Sequence, residues 1–392
     1  MKKSDKTYLK TAAKDYGSRS VNPPVVRAST VLFKTMQELR KHQKDIRKGK
    51  EVEHWDYGRQ GTQTNVKLQK LLKGLEEAHQ VFLTPTGFSA VALAIMSMCR
   101  PGDELVISDG VYRPTQKLTD DLLKEFNIKT IWYNPNSFQD LKNKITKKTK
   151  LIYVENPGSN TFEMQDLGKI VSLAKSKNIF TAIDNTWGTA YFFKPLKLGF
   201  DMSITSATKY YSGHSDVMAG TLAVNKKVYK KVWWYNHVSG YRLSPDDAYL
   251  IIRGLRTLDI RMDKHQENTK KVINFLKTQR KISKILYPYK ASSKEFKLWK
   301  KYYSGASGLV SIIIKSKSKN SVYKFVNTLE LFGIGYSWGG FESLAVYTDP
   351  VELGTRRYFK MEKNEHLVRL HIGLEDSKDL IDDIKSSLKF IK

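Results

Sequence analysis

A lysine set among small hydroxyl residues is the first stretch of this chain able to do chemistry. In Ser206-Ala207-Thr208-Lys209-Tyr210-Tyr211-Ser212-Gly213-His214-Ser215-Asp216 the apolar run Asp201 to Thr205 gives way to hydroxyls, then to Lys209, then to a glycine-punctuated loop. The run reads as a strand, so Lys209 lies just past a strand end, where an ammonium can be desolvated. Desolvation lowers its pKa and makes it a nucleophile towards a carbonyl. Ser206 and Thr208 supply two hydroxyls suited to a phosphate beside it. Amine, phosphate site and carbonyl chemistry together point to pyridoxal phosphate held as a Schiff base, a cofactor whose ring nitrogen usually faces an acid. Asp184, ending the run Phe180-Thr181-Ala182-Ile183, is the candidate acid. With 67 lysines and arginines in the chain, a single lysine is ordinarily a solvated one; the surroundings of Lys209 set it apart.

Other positions carry a functional reading beside a plain one. Tyr57-Gly58-Arg59-Gln60-Gly61 puts a phenol and a guanidinium two residues apart among glycines, either a grip on phosphate or a surface turn. Gly87, just before the apolar helix Phe88 to Met98, opens free amides to a phosphate, or simply starts a helix. Tyr112 follows the strand Glu104 to Ser108 in a strand-to-helix loop, where α/β folds put ligand groups; an ordinary loop tyrosine is the alternative. Asn156 before Pro157-Gly158 reads as an Asx turn. Arg369, mid-strand in His366 to Ile372, needs an anion, whether a structural carboxylate or a ligand. The eight histidines are scattered and form no metal-ligand cluster. The lone Cys99 excludes an intrachain disulfide, fits a reducing compartment and reads as a buried thiol without chemistry.

The elements that must hold these residues alternate. Strands at Val81 to Leu83, Glu104 to Ser108, Lys129 to Tyr133, Leu151 to Glu155 and Phe180 to Asp184 are separated by helices, which predicts a mostly parallel sheet covered by helices. Leu68, Leu71, Leu72 and Leu75 mark a core helix. Residues 1–60, with Asn22-Pro23-Pro24, read as an arm, and 61–254 as the large domain. A long helical stretch from Asp246 to Gln279, interrupted at Gly254, links it to a smaller α/β domain, 255–392. That domain shows a strand at Leu309 to Ile314, a helix at Val322 to Phe332, a strand at Leu367 to Ile372 and a last helix from Ser377.

Ser206-x-Thr208-Lys209, followed by Gly213-His214-Ser215-Asp216 and Gly220 and preceded by Asp184-Asn185-Thr186-Trp187, resembles the Cys/Met-metabolism family of pyridoxal-phosphate enzymes. The likeness runs from about Ser18 to the C-terminus. The run Tyr336-Ser337-Trp338-Gly339-Gly340-Phe341-Glu342-Ser343-Leu344 resembles its β-eliminating branch more than the γ-acting ones. The resemblance implies a fold of the aspartate-aminotransferase type, with Lys209, Tyr112 and Asp184 as the catalytic group. It implies that Gly87 and Phe88 hold the phosphate, although the family commonly has methionine where Phe88 stands. It further implies that Tyr112 stacks on the pyridine ring and that Asn156 lies near its oxygen. Arg369 and Ser337 would clamp the substrate α-carboxylate, and Trp338 would line the substrate site. Tyr57 and Arg59 would reach the neighbouring subunit's phosphate, which makes the chain a homo-oligomer: a dimer with shared sites, paired into a tetramer. The implied reaction is β-elimination of L-cystathionine, an amino-acid thioether, to homocysteine, pyruvate and ammonia in methionine biosynthesis, with racemisation of alanine as a side activity. γ-Cleavage or γ-synthesis of the same family is the alternative.

The formal net charge of +28 supports a rival reading, since such an excess can drive binding to nucleic acid. The basic clusters at Lys41 to Lys48, Lys142 to Lys148 and Lys226 to Lys231 fall in different elements, and no zinc-finger, RNP or basic-zipper signature accompanies them. Solvated faces are the better reading. The start Met1 to Lys6 lacks an apolar signal core and no apolar run reaches membrane length. A cytoplasmic enzyme without membrane or nucleic-acid partners is expected.

Overall fold

Seven strands form the sheet that carries Lys209: β1 (Gln80–Thr84), β2 (Glu104–Ser108), β3 (Lys129–Tyr133), β4 (Thr149–Glu155), β5 (Phe180–Asp184), β6 (Met202–Thr205) and β7 (Gly220–Val224). The computed structural model describes residues 4–14, 17, 19–48, 50, 52–289, 294–348, 353 and 356–392, so Ser18, where the resemblance begins, lies outside the described residues. The strand order is β1-β7-β6-β5-β4-β2-β3. Only β7 runs against its neighbours; β6, β5, β4, β2 and β3 pair in parallel. Strand periodicity explains the two-sided burial. Leu83, Val106, Ile152, Val154, Ile183 and Ala223 face one core. Their alternates Phe82, Leu105, Ile107, Tyr153, Ala182 and Leu222 face the other, under the helix Gly87–Met98.

A second sheet has the order β10-β11-β12-β9-β8, from β8 (Ile282–Leu286), β9 (Leu309–Lys315), β10 (Phe332–Ile334), β11 (Ser343–Thr348) and β12 (Glu365–His371). The helices Pro245–Arg256 and Leu258–Leu276 connect the sheets, and the break lies at Thr257 rather than at the expected Gly254. Gly254 serves a close approach instead. A Cβ there would stand 2.2 Å from the Ser212 carbonyl oxygen, so glycine lets the helix rest on the loop after Lys209. The helix expected over Val322 to Phe332 ends at Asn327. The Asp383 carboxylate takes the Glu330 and Leu331 amides at 3.0 and 2.9 Å, which frees Phe332 to begin β10.

The N-terminal stretch holds two helices, Asp5–Thr11 and Met36–Arg47. The first docks on the body of its own chain: Leu9 is fully buried, and the Tyr8 hydroxyl donates to Lys70 O and Leu71 O. Among the described residues no helix is long and apolar enough to cross a membrane, and no group of three or more His, Cys, Asp or Glu could hold a metal ion. Cys99 is buried, and burial pushes its thiol up to about 12.

Candidate active site

The C-terminal ends of the parallel strands converge on one edge of the large sheet, where β4 ends at Glu155, β5 at Asp184, and β6 leads into Ser206 and Lys209. Such an edge is where open α/β sheets bind ligands. Lys209 is anchored by the next residues of its loop. Tyr210 and Tyr211 are fully buried; the Tyr210 hydroxyl accepts from Gly308 N at 2.9 Å and the Tyr211 hydroxyl donates to Glu76 at 2.6 Å. Gly213, at φ 71°, makes room for Arg261, which donates to Tyr210 O at 2.8 Å.

The second sheet supplies the opposite wall. Lys209 Nζ donates to Ser337 Oγ at 2.6 Å and lies 5.4 Å from the centre of the Trp338 ring. Arg369 donates to Ser337 O at 3.1 Å. Burial and the neighbouring Arg369 charge lower the Lys209 pKa to about 8, against the opposing pull of Asp184. A larger share of this amine is neutral near pH 7 than of an ordinary lysine, and that neutral form can take a proton from carbon or attack a carbonyl.

Asp184 Oδ1 accepts from the Thr186 amide at 2.9 Å and its hydroxyl at 2.6 Å, and Thr186 Oγ1 in turn accepts from Ser206 N at 2.9 Å. The Asp184 pKa is raised by burial, with the Thr186 hydrogen bonds and the Lys209 charge working against it. Tyr112 is half-exposed; its amide donates to Glu155 at 2.6 Å, and its phenol is raised by burial and the Glu155 charge. Glu155 went unnoticed in the sequence. It is the register partner of Asp184, and burial followed by that second carboxylate drives its pKa well up. An acid at a strand end beside Asp184 was the signal that could have found it.

Gly87 begins the twelve-residue helix Gly87–Met98. Thr86 Oγ1 caps Ser89 N at 3.0 Å and Ala90 N closes onto Thr86 O, which leaves the Gly87 and Phe88 amides ahead of the first intrahelical bonds. A Cβ on Gly87 would come within 2.5 Å of Ser206 Oγ, so only glycine fits this cradle. Thr208 Oγ1 is tied to Ala219, accepting from its amide at 2.9 Å and donating to its carbonyl at 3.1 Å. Ser206 Oγ makes no hydrogen bond among the described residues, and neither does Asp184 Oδ2. Free amides and a free hydroxyl suit a phosphate, and an acid with an open oxygen suits a protonated ring nitrogen; the residues fit pyridoxal phosphate.

Asn156 just past the end of β4, and Tyr57 and Arg59 in the N-terminal stretch, are engaged by other residues of their own chain. Asn156 is fully buried; its amide donates to Tyr303 at 3.2 Å and its Oδ1 accepts from Gln165 N at 2.8 Å. Both ends of its side chain therefore have partners in its own chain. Tyr57 and Arg59 stand apart from Lys209. Arg59 donates to His237 O at 2.9 Å and lies 5.9 Å from the Tyr57 ring centre. It lines a shallow pocket with Trp55, Trp233, Asn236 and His237.

Comparison with known proteins agrees with this chemistry. The chain matches the family described as Cys/Met metabolism PLP-dependent enzyme over residues 7–389. It is 35% identical to the cystathionine beta-lyase of Escherichia coli over 95% of this chain and 94% of that protein. It is 33% identical to an L-alanine/L-glutamate racemase of Wolbachia pipientis, over 94% and 92%. The crystal structure of a cystathionine gamma synthase from Xanthomonas oryzae superposes with a TM-score of 0.90 at 27% identity, covering 100% of this chain and 99% of that one. A lysine of lowered pKa, a buried acid and a glycine-led helix start on the edge of this sheet thus belong to a chain that is a member of the Cys/Met metabolism family of pyridoxal-phosphate-dependent enzymes.

Proposed function

We propose that this chain cleaves L-cystathionine by β-elimination to homocysteine, pyruvate and ammonia, the reaction of a cystathionine β-lyase. The observation that carries the reading is the Lys209 amine, 2.6 Å from the Ser337 hydroxyl and beside Trp338, in a segment that resembles the β-eliminating branch. The 35% identity to the E. coli lyase supports it. In this reading the chain divides into an arm (1–60), a cofactor domain (61–254) and a domain for the substrate carboxylate (255–392), and works as a homo-oligomer in the cytoplasm.

The site residues divide the work in this reading. The Gly87 and Phe88 amides with the Ser206 and Thr208 hydroxyls would hold the phosphate. Asp184, whose Oδ2 is open, would accept from the protonated ring nitrogen. Tyr112 covers the ring face, with Glu155 fixing its backbone. When bound, pyridoxal phosphate supplies an electron sink for the charge left at the substrate Cα. Arg369 and Ser337 hold the α-carboxylate as a paired set of donors. Lys209, whose lowered pKa makes its neutral amine easier to reach, takes the Cα proton. The bond from Cβ to sulfur then breaks, and Lys209 delivers that proton to the departing thiolate. The three-carbon fragment leaves as aminoacrylate, which water hydrolyses to pyruvate and ammonia.

Product analysis tests this. Purified protein loaded with pyridoxal phosphate and given L-cystathionine should release pyruvate and homocysteine. Release of 2-oxobutyrate and cysteine instead makes it a γ-lyase. A second reading has its own support: Lys209 and Tyr112 are two proton carriers in one site, and the Wolbachia relative is a racemase. Appearance of D-alanine from L-alanine, lost in Tyr112→Phe, is the outcome that reading requires.

A further inference from the structure

Ser337 and Trp338 belong to a turn with an unusual backbone. Ser337 has φ 85° and Gly339 φ 87°, a region that a residue with a Cβ enters only under strain. The turn is also pressed onto the lysine segment, because a Cβ at Gly339 would stand 3.0 Å from Lys209 Cα and 2.9 Å from Tyr210 N. A strained backbone persists only when its surroundings hold it, so something must hold this turn.

His371 is placed to do so. The last residue of β12 and only 1% exposed, it reaches the turn with both ring nitrogens. Nε2 lies 3.0 Å from Gly339 N, and Nδ1 lies 2.9 Å from Glu342 O. An amide N–H can only donate and a carbonyl can only accept, so the ring must be neutral with its hydrogen on Nδ1. An imidazolium could not accept from Gly339. The charged and titratable groups facing the ring work against that cation: Arg369 and Lys209 carry positive charge, and the tilted His265 ring lies 5.1 Å away between ring centres. Tyr210, at 6.1 Å, closes the remaining side.

We propose that His371 is a positioning residue of the lyase site: as the neutral Nδ1–H tautomer it clamps Gly339 N–H and Glu342 C=O together and thereby keeps the strained Ser337-Trp338 turn against Lys209. The proposal rests on the proposed function, in which Ser337 and Lys209 stand at the reacting centre. It explains why a buried histidine occupies this position, where a leucine would fill the space but leave the Gly339 amide without its acceptor.

Three substitutions separate the clamp from plain packing. His371→Gln keeps an acceptor near the Nε2 position, His371→Asn keeps only a donor near Nδ1, and His371→Leu keeps neither. The Gly339 contact adjoins Ser337, so kcat/KM should fall on the order of 100-fold in His371→Asn and His371→Leu, the scale of a misplaced reacting group, and distinctly less in His371→Gln. Melting temperatures of the Gln and Asn variants should match. Equal kcat/KM in the Gln and Asn variants, or losses that only track melting temperature, would overturn the proposal.

Two readouts need no turnover. In the cofactor-free protein, ¹⁵N-detected histidine spectra should show His371 neutral and protonated on Nδ1 from pH 8 down to 5; an imidazolium forming near pH 6.5, or the Nε2–H tautomer, refutes the clamp even when no variant folds. The pH at which cofactor-free Lys209 captures pyridoxal phosphate should rise from about 8 towards the ordinary lysine range in His371→Leu, as water enters the loosened turn. If wild-type protein cleaves no thioether, the lyase reading fails, while these two measurements still decide the role of His371.

Discussion

Two arginines proposed to grip anions sit in opposite settings. Arg369 lies in β12 between Ser311 of β9 and Val346 of β11, and donates to the carbonyl of Ser337, itself bonded to Lys209. Strand pairing on both sides fixes where its guanidinium can go. Arg59 lies on an exposed turn, Gly58–Gln60, and its described hydrogen bond runs to His237 O of its own chain. Nothing described connects it to Gly87, Ser206 or Lys209. A side chain on paired strands is aimed by register within one chain, whereas one on an arm is aimed by whatever the arm meets. The residues of the Lys209 edge are all supplied by one chain, whereas Tyr57 and Arg59 would join such an edge only from a second copy, as the proposed shared-site assembly requires.

The largest expected effect tests the Lys209 side. Lys209→Ala should lower turnover by on the order of 10⁴-fold or more, the scale for removing a central catalytic group. Borohydride reduction of the loaded wild type should leave the pyridoxyl label on Lys209, and a label on another lysine would break the assignment.

Asp184→Asn comes next. The amide cannot stabilise a protonated ring nitrogen, so about 2–4 kcal/mol of catalysis should be lost while the far-ultraviolet circular dichroism and the bound cofactor remain. Near-native turnover with cofactor bound would remove Asp184 from the site.

The arm side is tested by complementation. Arg59→Ala should weaken catalysis by roughly one to two orders of magnitude, in line with the loss of a charge-assisted phosphate contact. Co-expression with a Lys209→Ala chain, followed by isolation of the hybrid, then distinguishes the two settings. If Arg59 acts across an interface, one hybrid site regains native Lys209 from the first chain and native Arg59 from the second, and activity rises above the sum of the parents. A hybrid that stays at that sum places Arg59 in its own chain's site and ends the contrast.

The smallest effect concerns pH. With the Lys209 pKa lowered to about 8, cofactor-free protein should capture pyridoxal phosphate through the neutral amine, and the neutral fraction grows as pH rises. The capture rate should climb about tenfold from pH 6 to 7, bend near 8 and level above it. A bend above pH 10 would mean that Lys209 is solvated like the lysines of the surface.

Lys209, Asp184, Gly87 and the strands ending at them were legible because each signal is local. A strand's apolar run, a helix-opening glycine and a hydroxyl-flanked lysine occupy a few consecutive residues, and period-two burial sorts a strand's side chains by itself. The outcome at Asn156, Glu155, Gly254 and His371 depended on residues far along the chain. Asn156, open between an Asx turn and a ring contact, found partners in Tyr303 and Gln165. Glu155 became part of a carboxylate pair only when β4 met β5, and Gly254 was needed only where its helix met Ser212. The His371 imidazole has its tautomer set by two backbone groups some thirty residues away. Sequence determined which groups could carry charge and where strands and helices would begin; which of those groups were spent on the core and which were left facing the cleft was decided by long-range hydrogen bonding, because a polar atom's freedom depends on every neighbour that folding brings to it.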